Sequence, residues 1–188
     1  MADLDIVSLA EAQSITGATT SHQDLLTAWV SAISEKVDDH CGPVVSRPVT
    51  GEKHSGGCDA LDLLSPPALS VTSVTESGTA LTSSDYELDV ATGELWRLSS
   101  DGSVSVWSGG PRQIEVSYVS GRFADTESVS EKFKRAASVA LINVWQMHQG
   151  GVAQVGEFDV PRKPFPGFLL PNAAIELLAD EAEAPVFT

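Results

Sequence analysis

Four residues in the first third of the chain have the side chains that bind zinc. His40 and Cys41 are followed by His54 after a twelve-residue gap and by Cys58 after a further three. Imidazole nitrogen and thiolate sulfur are the usual ligands of tetrahedral zinc, but adjacent residues such as His40 and Cys41 rarely point at one ion. We therefore expect no metal site, with Cys41 a small apolar residue at a helix end and Cys58 a loop thiol. The alternative is a metal-dependent hydrolase that uses His40, His54 and acidic neighbours.

Other candidates for chemistry are isolated. Asp85, Glu87 and Asp89 alternate with apolar residues, which predicts an acidic ladder on the wet face of a strand; weak calcium binding is the alternative. His148 falls on an apolar helical stripe, where a hydrogen-bonded core histidine is expected. The sequence contains no phosphate-binding glycine loop, no GxSxG elbow and no HExxH. We predict a protein with no catalytic residues and no cofactor, hence not an enzyme.

The charge balance disfavours tight binding to DNA. The chain of 188 residues has 26 acidic and 11 basic residues, a net charge of −15. A protein that grips nucleic acid needs a basic patch, and the nearest one here is Lys132, Lys134 and Arg135, with acids around it. No apolar run is long enough to cross a bilayer, and the acidic N-terminus does not have the pattern of a signal peptide. We expect synthesis in a cytoplasm and no membrane partner.

Two long amphipathic helices are predicted. The first covers Thr20–Cys41, with Thr20 and Gln23 as a capping box and Gly42-Pro43 as its end. The second covers Ser128–Gln149, with a capping box of Ser128 and Glu131. Its apolar residues recur three and four positions apart, as a helix buried along one face requires: Phe133, Ala136, Ala137, Ala140, Leu141, Val144 and Trp145. Short helices are predicted within residues 3–16 and from residue 171 or 172 onward.

The region between the long helices, at about 44–121, is rich in alternating Val, Thr and Tyr with frequent turn residues, which indicates strands. A strand is expected at Val44–Val49, followed by a loop at residues 51–57, GEKHSGG. Alternating apolar residues at 86–90 meet a hairpin-type turn at 91–93 that leads into a strand at 94–98. The predicted fold class is α+β: a bundle of two long helices and short terminal helices, with a β-rich insertion between the long helices. Residues 1–150 would form this body, and residues 151–188 a proline-rich arm with a short helix and an acidic tail. A separate β-domain is the alternative, and its modest stock of large apolar residues counts against it.

The arm carries large apolar residues between prolines at 161, 164, 166 and 171, which favour an extended course. An extended apolar segment is typical of a chain that lies on another subunit or partner; folding back over its own body is the alternative. The predicted interface residues are Phe158, Val160, Phe165, Phe168, Leu169, Leu170, Ile175 and Leu178.

The order of elements resembles the head–tail connector (adaptor) proteins of tailed bacteriophages. The likeness is sharpest at Val116–Trp145, SYVSGRFADTESVSEKFKRAASVALINVW from Ser117 on: a strand, a Tyr-x-x-Gly turn, an acidic loop and an Ala-rich helix ending in an aromatic. The resemblance implies a structural virion protein at the head–tail junction. It implies a homo-oligomeric ring of commonly twelve subunits, placed between the portal protein and the stopper or tail proteins, through which the genome passes without specific binding. A β-rich, tail-associated binding module is the alternative.

Overall fold

The computed structural model describes residues 4–90, 92–149 and 170–181, together with the backbone of residues 152–155 and 158–161. The chain divides into two compact units. One contains Met1–Cys41 and Asp125–Thr188, and the other contains Gly42–Ala124.

The helical unit has four α-helices among its described residues: α1 (Leu9–Thr16), α2 (Gln23–Cys41), α3 (Glu131–His148) and α4 (Asn172–Leu178). Helix α3 packs against the other three. Its buried residues follow the predicted stripe and are Phe133, Ala136, Ala137, Ala140, Leu141 and Trp145. Burial of apolar surface on α2 and α3 stabilises both, since neither helix would be stable alone in water.

The helix starts differ from the predictions. The residues Thr20–His22 form a 3₁₀ turn ahead of α2, and no side chain caps that turn. Ser128 does not cap α3, because its hydroxyl accepts a hydrogen bond from the backbone N–H of Asp125 at 3.1 Å. The N-cap is Ser130, whose side chain makes no capping bond. A capping box does form at α1, between Ser8 and Glu11, where none was predicted.

The β unit contains two antiparallel sheets built from eight strands among its described residues: β1 (Arg47–Gly56), β2 (Ala60–Asp62), β3 (Ala68–Glu76), β4 (Thr79–Ala80), β5 (Tyr86–Asp89), β6 (Glu94–Leu98), β7 (Val104–Ser105) and β8 (Gly110–Ser120). The strand order in the first sheet is β1-β8-β3-β4. In the second it is β2-β6-β5, and β7 also pairs with β6. A buried cluster takes residues from both sheets: Leu61, Leu63, Ala68, Val74, Leu95, Trp107, Ile114, Val116 and Tyr118.

The predicted helical bundle with a β-rich insertion is therefore wrong. The chain mixes helices and strands, but the β-rich core dominates the fold. The β region has this core because large side chains from several short strands and loops, far apart in the sequence, are buried together. Trp107 and Leu95 are fully buried, as is Ile114, and Tyr118 is 1% exposed. Residues of this size fill the space between two sheets, so the strands have a core of their own.

After α3 the backbone forms an antiparallel hairpin of β9 (Val152–Val155) and β10 (Phe158–Pro161). This hairpin and residues 170–181, which include α4, are the described parts of the predicted arm. The remainder of the arm before Leu170 lies outside the described residues.

Candidate functional site

A bulge in β1 turns a glutamate and a histidine toward the core of the β unit. Val49 pairs with Tyr118 and Glu52 pairs with Val116, so β1 has one residue more than β8 over this interval. Gly51 supplies the extra residue, with a φ of +68° that favours glycine. The extra residue reverses the side-chain alternation, and Glu52 consequently faces the same side as the buried Val116. Two residues later, His54 faces that side as well.

Glu52 is the centre of a buried polar network. Its Oε1 atom lies 2.6 Å from Nε2 of His54, and the two side chains are 7% and 10% exposed. The same oxygen accepts the backbone N–H of Leu64 at 3.0 Å. The other oxygen, Oε2, accepts the hydroxyl of Tyr118 at 2.7 Å. The Tyr118 oxygen in turn accepts the N–H of Ser65 at 3.1 Å. The network thus ties β1, β8 and the segment after β2 together.

The chemistry of this network is that of a cross-link. Burial, together with the hydrogen bond to the Glu52 carboxylate, raises the pKa of Tyr118 to about 12. The phenol therefore keeps its proton at neutral pH and acts as a hydrogen-bond donor to Glu52, not as a base or nucleophile. Sequence reasoning missed Glu52, and with it the bond to Tyr118, because it placed residues 51–57 in a loop. The signal was the spacing Glu52-x-His54, which puts both side chains on one face of a strand.

The zinc alternative finds no support among the described residues. Those residues contain no group of three or more His, Cys, Asp or Glu side chains that could hold a metal ion. Cys41 is buried at the end of α2, where its Sγ donates to the carbonyl of Val37 at 3.0 Å, whereas Cys58 is exposed. His54 is paired with Glu52. The buried Nε2 atom of His40 has no hydrogen-bond partner in the described part of the chain.

The acidic ladder and His148 are both at the surface. Glu87 and Asp89 are exposed on β5. The carboxylate of Asp85 accepts the hydroxyl and the backbone N–H of Thr82, each at 2.7 Å, and these bonds lower the pKa of Asp85. The prediction that His148 is a core histidine is wrong. It is exposed at the last turn of α3, with its ring 5.3 Å from that of Trp29.

An open groove of about 550 Å³ lies on the outer face of the second sheet. Trp96 and Leu98 of β6 share this face because they are two residues apart, and Val104 of β7 pairs with Leu98. Val104 is 56% exposed, and Trp96 and Leu98 are partly exposed. The carboxylates of Glu87 and Asp89 border the groove. We call this surface the Trp96 groove; no sequence prediction singled it out.

The predicted interface residues fall into three groups. Leu178 is fully buried, Leu170 is partly buried and Ile175 is 37% exposed. Phe158 and Val160 lie in β10, of which the backbone is described. Phe165, Phe168 and Leu169 lie outside the described residues. The role of these eight residues in an interface stays a prediction.

Two of the three lysine and arginine residues of α3 are engaged by acids of the same unit. Lys132 is 3.2 Å from a carboxylate oxygen of Glu181 and 3.6 Å from one of Asp180. Lys134 is 2.9 Å from Glu11. These ion pairs reduce the positive field of the one basic group that the sequence suggested for phosphate contact.

No known protein family matches the sequence, and no curated protein is significantly similar to it. Among the described helices, none has the length and apolarity needed to cross a bilayer. Solved structures do share the fold. A chain in the "Neck of empty GTA particle computed with C6 symmetry" is 14% identical, with a TM-score of 0.59 over 97% of this chain and 92% of that one.

Two further structures agree with it. A chain in the "Virion of native gene transfer agent (GTA) particle" is 14% identical, with a TM-score of 0.60 and the same coverage of 97% and 92%. A chain in the "Neck of native GTA particle computed with C12 symmetry" is 16% identical, with a TM-score of 0.52 over 95% of this chain and 90% of that one. At these identities the likeness establishes a shared fold across nearly the whole of both chains.

Proposed function

We propose that this chain is a structural protein of the neck of a phage-like particle, where it acts as the head–tail adaptor. In this role it forms a ring, commonly of twelve copies, below the portal protein and above the stopper or tail proteins. The genome passes through the ring. The protein is made in the host cytoplasm and resides in the virion at the head–tail junction.

The observation that carries this proposal is the fold shared over 97% of the chain with a chain of a particle neck. One such neck structure was computed with C12 symmetry, which is the symmetry of a ring of twelve. Closed rings form when head-to-tail contacts between copies repeat through a suitable rotation. The arm, for which the sequence predicts an extended course with large apolar residues, offers a surface for contacts of that kind.

The net negative charge of the chain is appropriate for a protein past which DNA moves without being bound. A net charge of −15 repels phosphates at short range. Lys132 and Lys134, the bases that could offset this repulsion on α3, are held by acids of the same unit. We therefore expect weak, salt-sensitive binding to duplex DNA at most, with no sequence preference.

The arm is the segment that we propose holds the ring together on the portal, by lying on a neighbouring copy. Its C-terminal end is α4, which packs on α3 with Ala174 and Leu178 fully buried. Truncation before α4 would therefore uncover part of the core of the helical unit. A replacement of residues 162–169 by glycine and serine at constant length removes the apolar anchors and leaves α4 in place, so it tests attachment without that complication.

The experiment is co-expression of the full chain with the portal protein of the same particle, followed by negative-stain imaging. We expect rings with a central hole, attached to one face of the portal. The variant with residues 162–169 replaced should be folded by circular dichroism but recovered free of portal. The proposal is refuted if the wild-type chain does not attach to the portal and forms no ring. Attachment to tail proteins alone would support the β-rich tail-associated module in its place.

A further inference from the structure

We propose that the Trp96 groove of one copy receives the arm segment at residues 162–170 of a neighbouring copy. This inference rests on the proposed ring, because it assigns one contact between adjacent subunits. The groove lies within the β unit, so the argument needs only the geometry of that unit and the sequence of the segment.

The groove combines an apolar floor with an acidic border. Trp96, Leu98 and Val104 leave apolar surface exposed on the outer face of the second sheet. Glu87 lies directly opposite Trp96 in the β5–β6 pair, and Asp89 lies two residues further along β5. A tryptophan in an open apolar groove is the type of residue that anchors protein interfaces, and carboxylates at the rim select a positively charged occupant.

The arm segment has the complementary chemistry. The sequence from Arg162 is RKPFPGFLL, in which two adjacent bases precede two phenylalanines. The bases can face the carboxylates of Glu87 and Asp89 while Phe165 and Phe168 cover the apolar floor. Prolines at 164 and 166 lack an N–H, so neither can donate a backbone hydrogen bond to a neighbouring strand. We therefore expect side-chain contacts in the groove to contribute most of the recognition.

The other bases of the chain fit this role less well. Lys36 pairs with Asp39, and Arg97 pairs with Glu76. The second pair of adjacent bases, Lys134-Arg135, lies on α3, where Lys134 is bound to Glu11. The aromatic neighbour of that pair, Phe133, is buried, whereas Arg162 and Lys163 are followed in the sequence by Phe165 and Phe168. An acid-rimmed groove on a chain of net charge −15 thus has a matching ligand within the same sequence.

The first test measures binding without any need for the portal. A fluorescein-labelled peptide of residues 157–171 is titrated with the full chain in which residues 162–169 are replaced by glycine and serine, so that its own arm does not compete for either form of the groove. We expect saturable binding that weakens at least about tenfold when E87K and D89K are added, and that is restored when the peptide itself carries R162E and K163E. Absence of binding, or binding indifferent to both charge reversals, would overturn the inference.

A pair of exposed valines supplies a matched control for the apolar floor. Val104 lines the groove and is 56% exposed, whereas Val106 is 61% exposed and does not line it. Val104→Glu should abolish peptide binding, and Val106→Glu should leave it unchanged. Both side chains point into solvent, so neither change should affect folding. Equal effects of the two variants would show that the peptide binds through general hydrophobicity, which contradicts a specific groove.

The second test asks whether the arm crosses between copies. The full chain with V104C, F165C and C58S is assembled on the portal and oxidised; Cys41 is buried and stays unreacted. A ladder of covalent oligomers on a non-reducing gel is the expected result. A product that migrates as a monomer would overturn the exchange between copies, even if rings are visible by imaging. Rings without a ladder thus reject this inference alone, and the lack of rings rejects the proposed function.

Discussion

Removal of the Glu52 carboxylate is the most direct test of the buried network in the β unit. Glu52→Ala leaves three groups without their acceptor: the imidazole of His54, the hydroxyl of Tyr118 and the backbone N–H of Leu64. The side chains of Glu52 and His54 are 7% and 10% exposed, so water cannot freely replace the lost bonds. A buried donor left without its acceptor costs about 1–3 kcal/mol, so for the imidazole and the hydroxyl together we expect the free energy of unfolding to fall by about 2–6 kcal/mol.

The assay is equilibrium unfolding in urea, followed by tryptophan fluorescence and far-UV circular dichroism. Two probes are needed because a chain of two units can unfold in two steps. Glu52→Gln keeps the shape of the side chain and one acceptor, so it should cost less, about 1–3 kcal/mol. The matched control is Glu87→Ala, on an exposed position of the same unit, with an expected effect within about 0.5 kcal/mol.

The result that would refute this reasoning is a Glu52→Ala variant as stable as the control. Such a result would mean that desolvation of the carboxylate cancels its hydrogen bonds. A second check is the coupling between Glu52→Ala and Tyr118→Phe. If both residues act in one network, the double variant should lose less stability than the two single variants lose together. The reason is that either change alone already breaks the bond they share.

Four further outcomes are expected. The pKa of Tyr118 is raised from 10.0 to about 12, so the wild-type chain should lose about 2–3 kcal/mol of stability as pH rises from about 10 to 12. Tyr118→Phe should not show that loss when both proteins are unfolded in urea at each pH. Trp145→Ala should cost about 3–5 kcal/mol in the helical unit, while Arg135→Ala on the exposed face of α3 should change the free energy of unfolding little. Ser8→Ala removes the hydroxyl that accepts the N–H of Glu11 at 3.2 Å and should cost about 1 kcal/mol, read as a lower Tm. Gly121→Ala should cost more than about 2 kcal/mol, whereas Gly102→Ala, at a left-handed position with free space around it, should cost about 1 kcal/mol by the same urea assay.

The helices were the part of the fold that the sequence predicted well. The stripe of α3 and the end of α2 at Cys41 are confirmed, because both depend on local periodicity and on the Gly42-Pro43 stop. The hairpin that joins β5 to β6 is confirmed as well. Its alternation of apolar and charged residues is unbroken, and Gly93 has a φ of +76° in the turn between the strands.

The first strand was mispredicted for a physical reason. A strand was expected at residues 44–49 and a loop at 51–57, yet β1 runs from Arg47 to Gly56. The bulge at Gly51 breaks the alternation, and three ionisable residues follow it at 52–54. A charged stretch after a glycine has the composition of a loop. The contacts that hold it as a strand come from β8, about sixty residues later in the chain, as the pairing of Lys53 with Glu115 shows.

The same error concealed the buried network, and a second error biased the fold class. With Glu52 and His54 assigned to a loop, His54 could be grouped with His40 and Cys41 only as a possible metal ligand. The separate β-domain was disfavoured because its stock of large apolar residues is modest, yet nine of its residues form a buried cluster. Trp107 shows what local sequence patterns cannot predict. It lies between strands, yet it is fully buried and its indole N–H donates to the carbonyl of Leu95 at 3.3 Å. Long-range packing of this kind leaves no local periodicity.

The Tyr-x-x-Gly turn explains how a resemblance to a family can indicate a fold without indicating an activity. Tyr118 is needed because its hydroxyl reaches the buried Glu52. Gly121 is needed because its φ is +131° and a Cβ there would lie 2.7 Å from Cα of Ser46. Its N–H also donates to the carbonyl of Pro67 at 2.9 Å. Each requirement arises inside the β unit, so this motif specifies how the chain folds. What the chain binds must depend on surfaces that the motif does not touch, and the Trp96 groove, with its exposed valine and carboxylates, is such a surface.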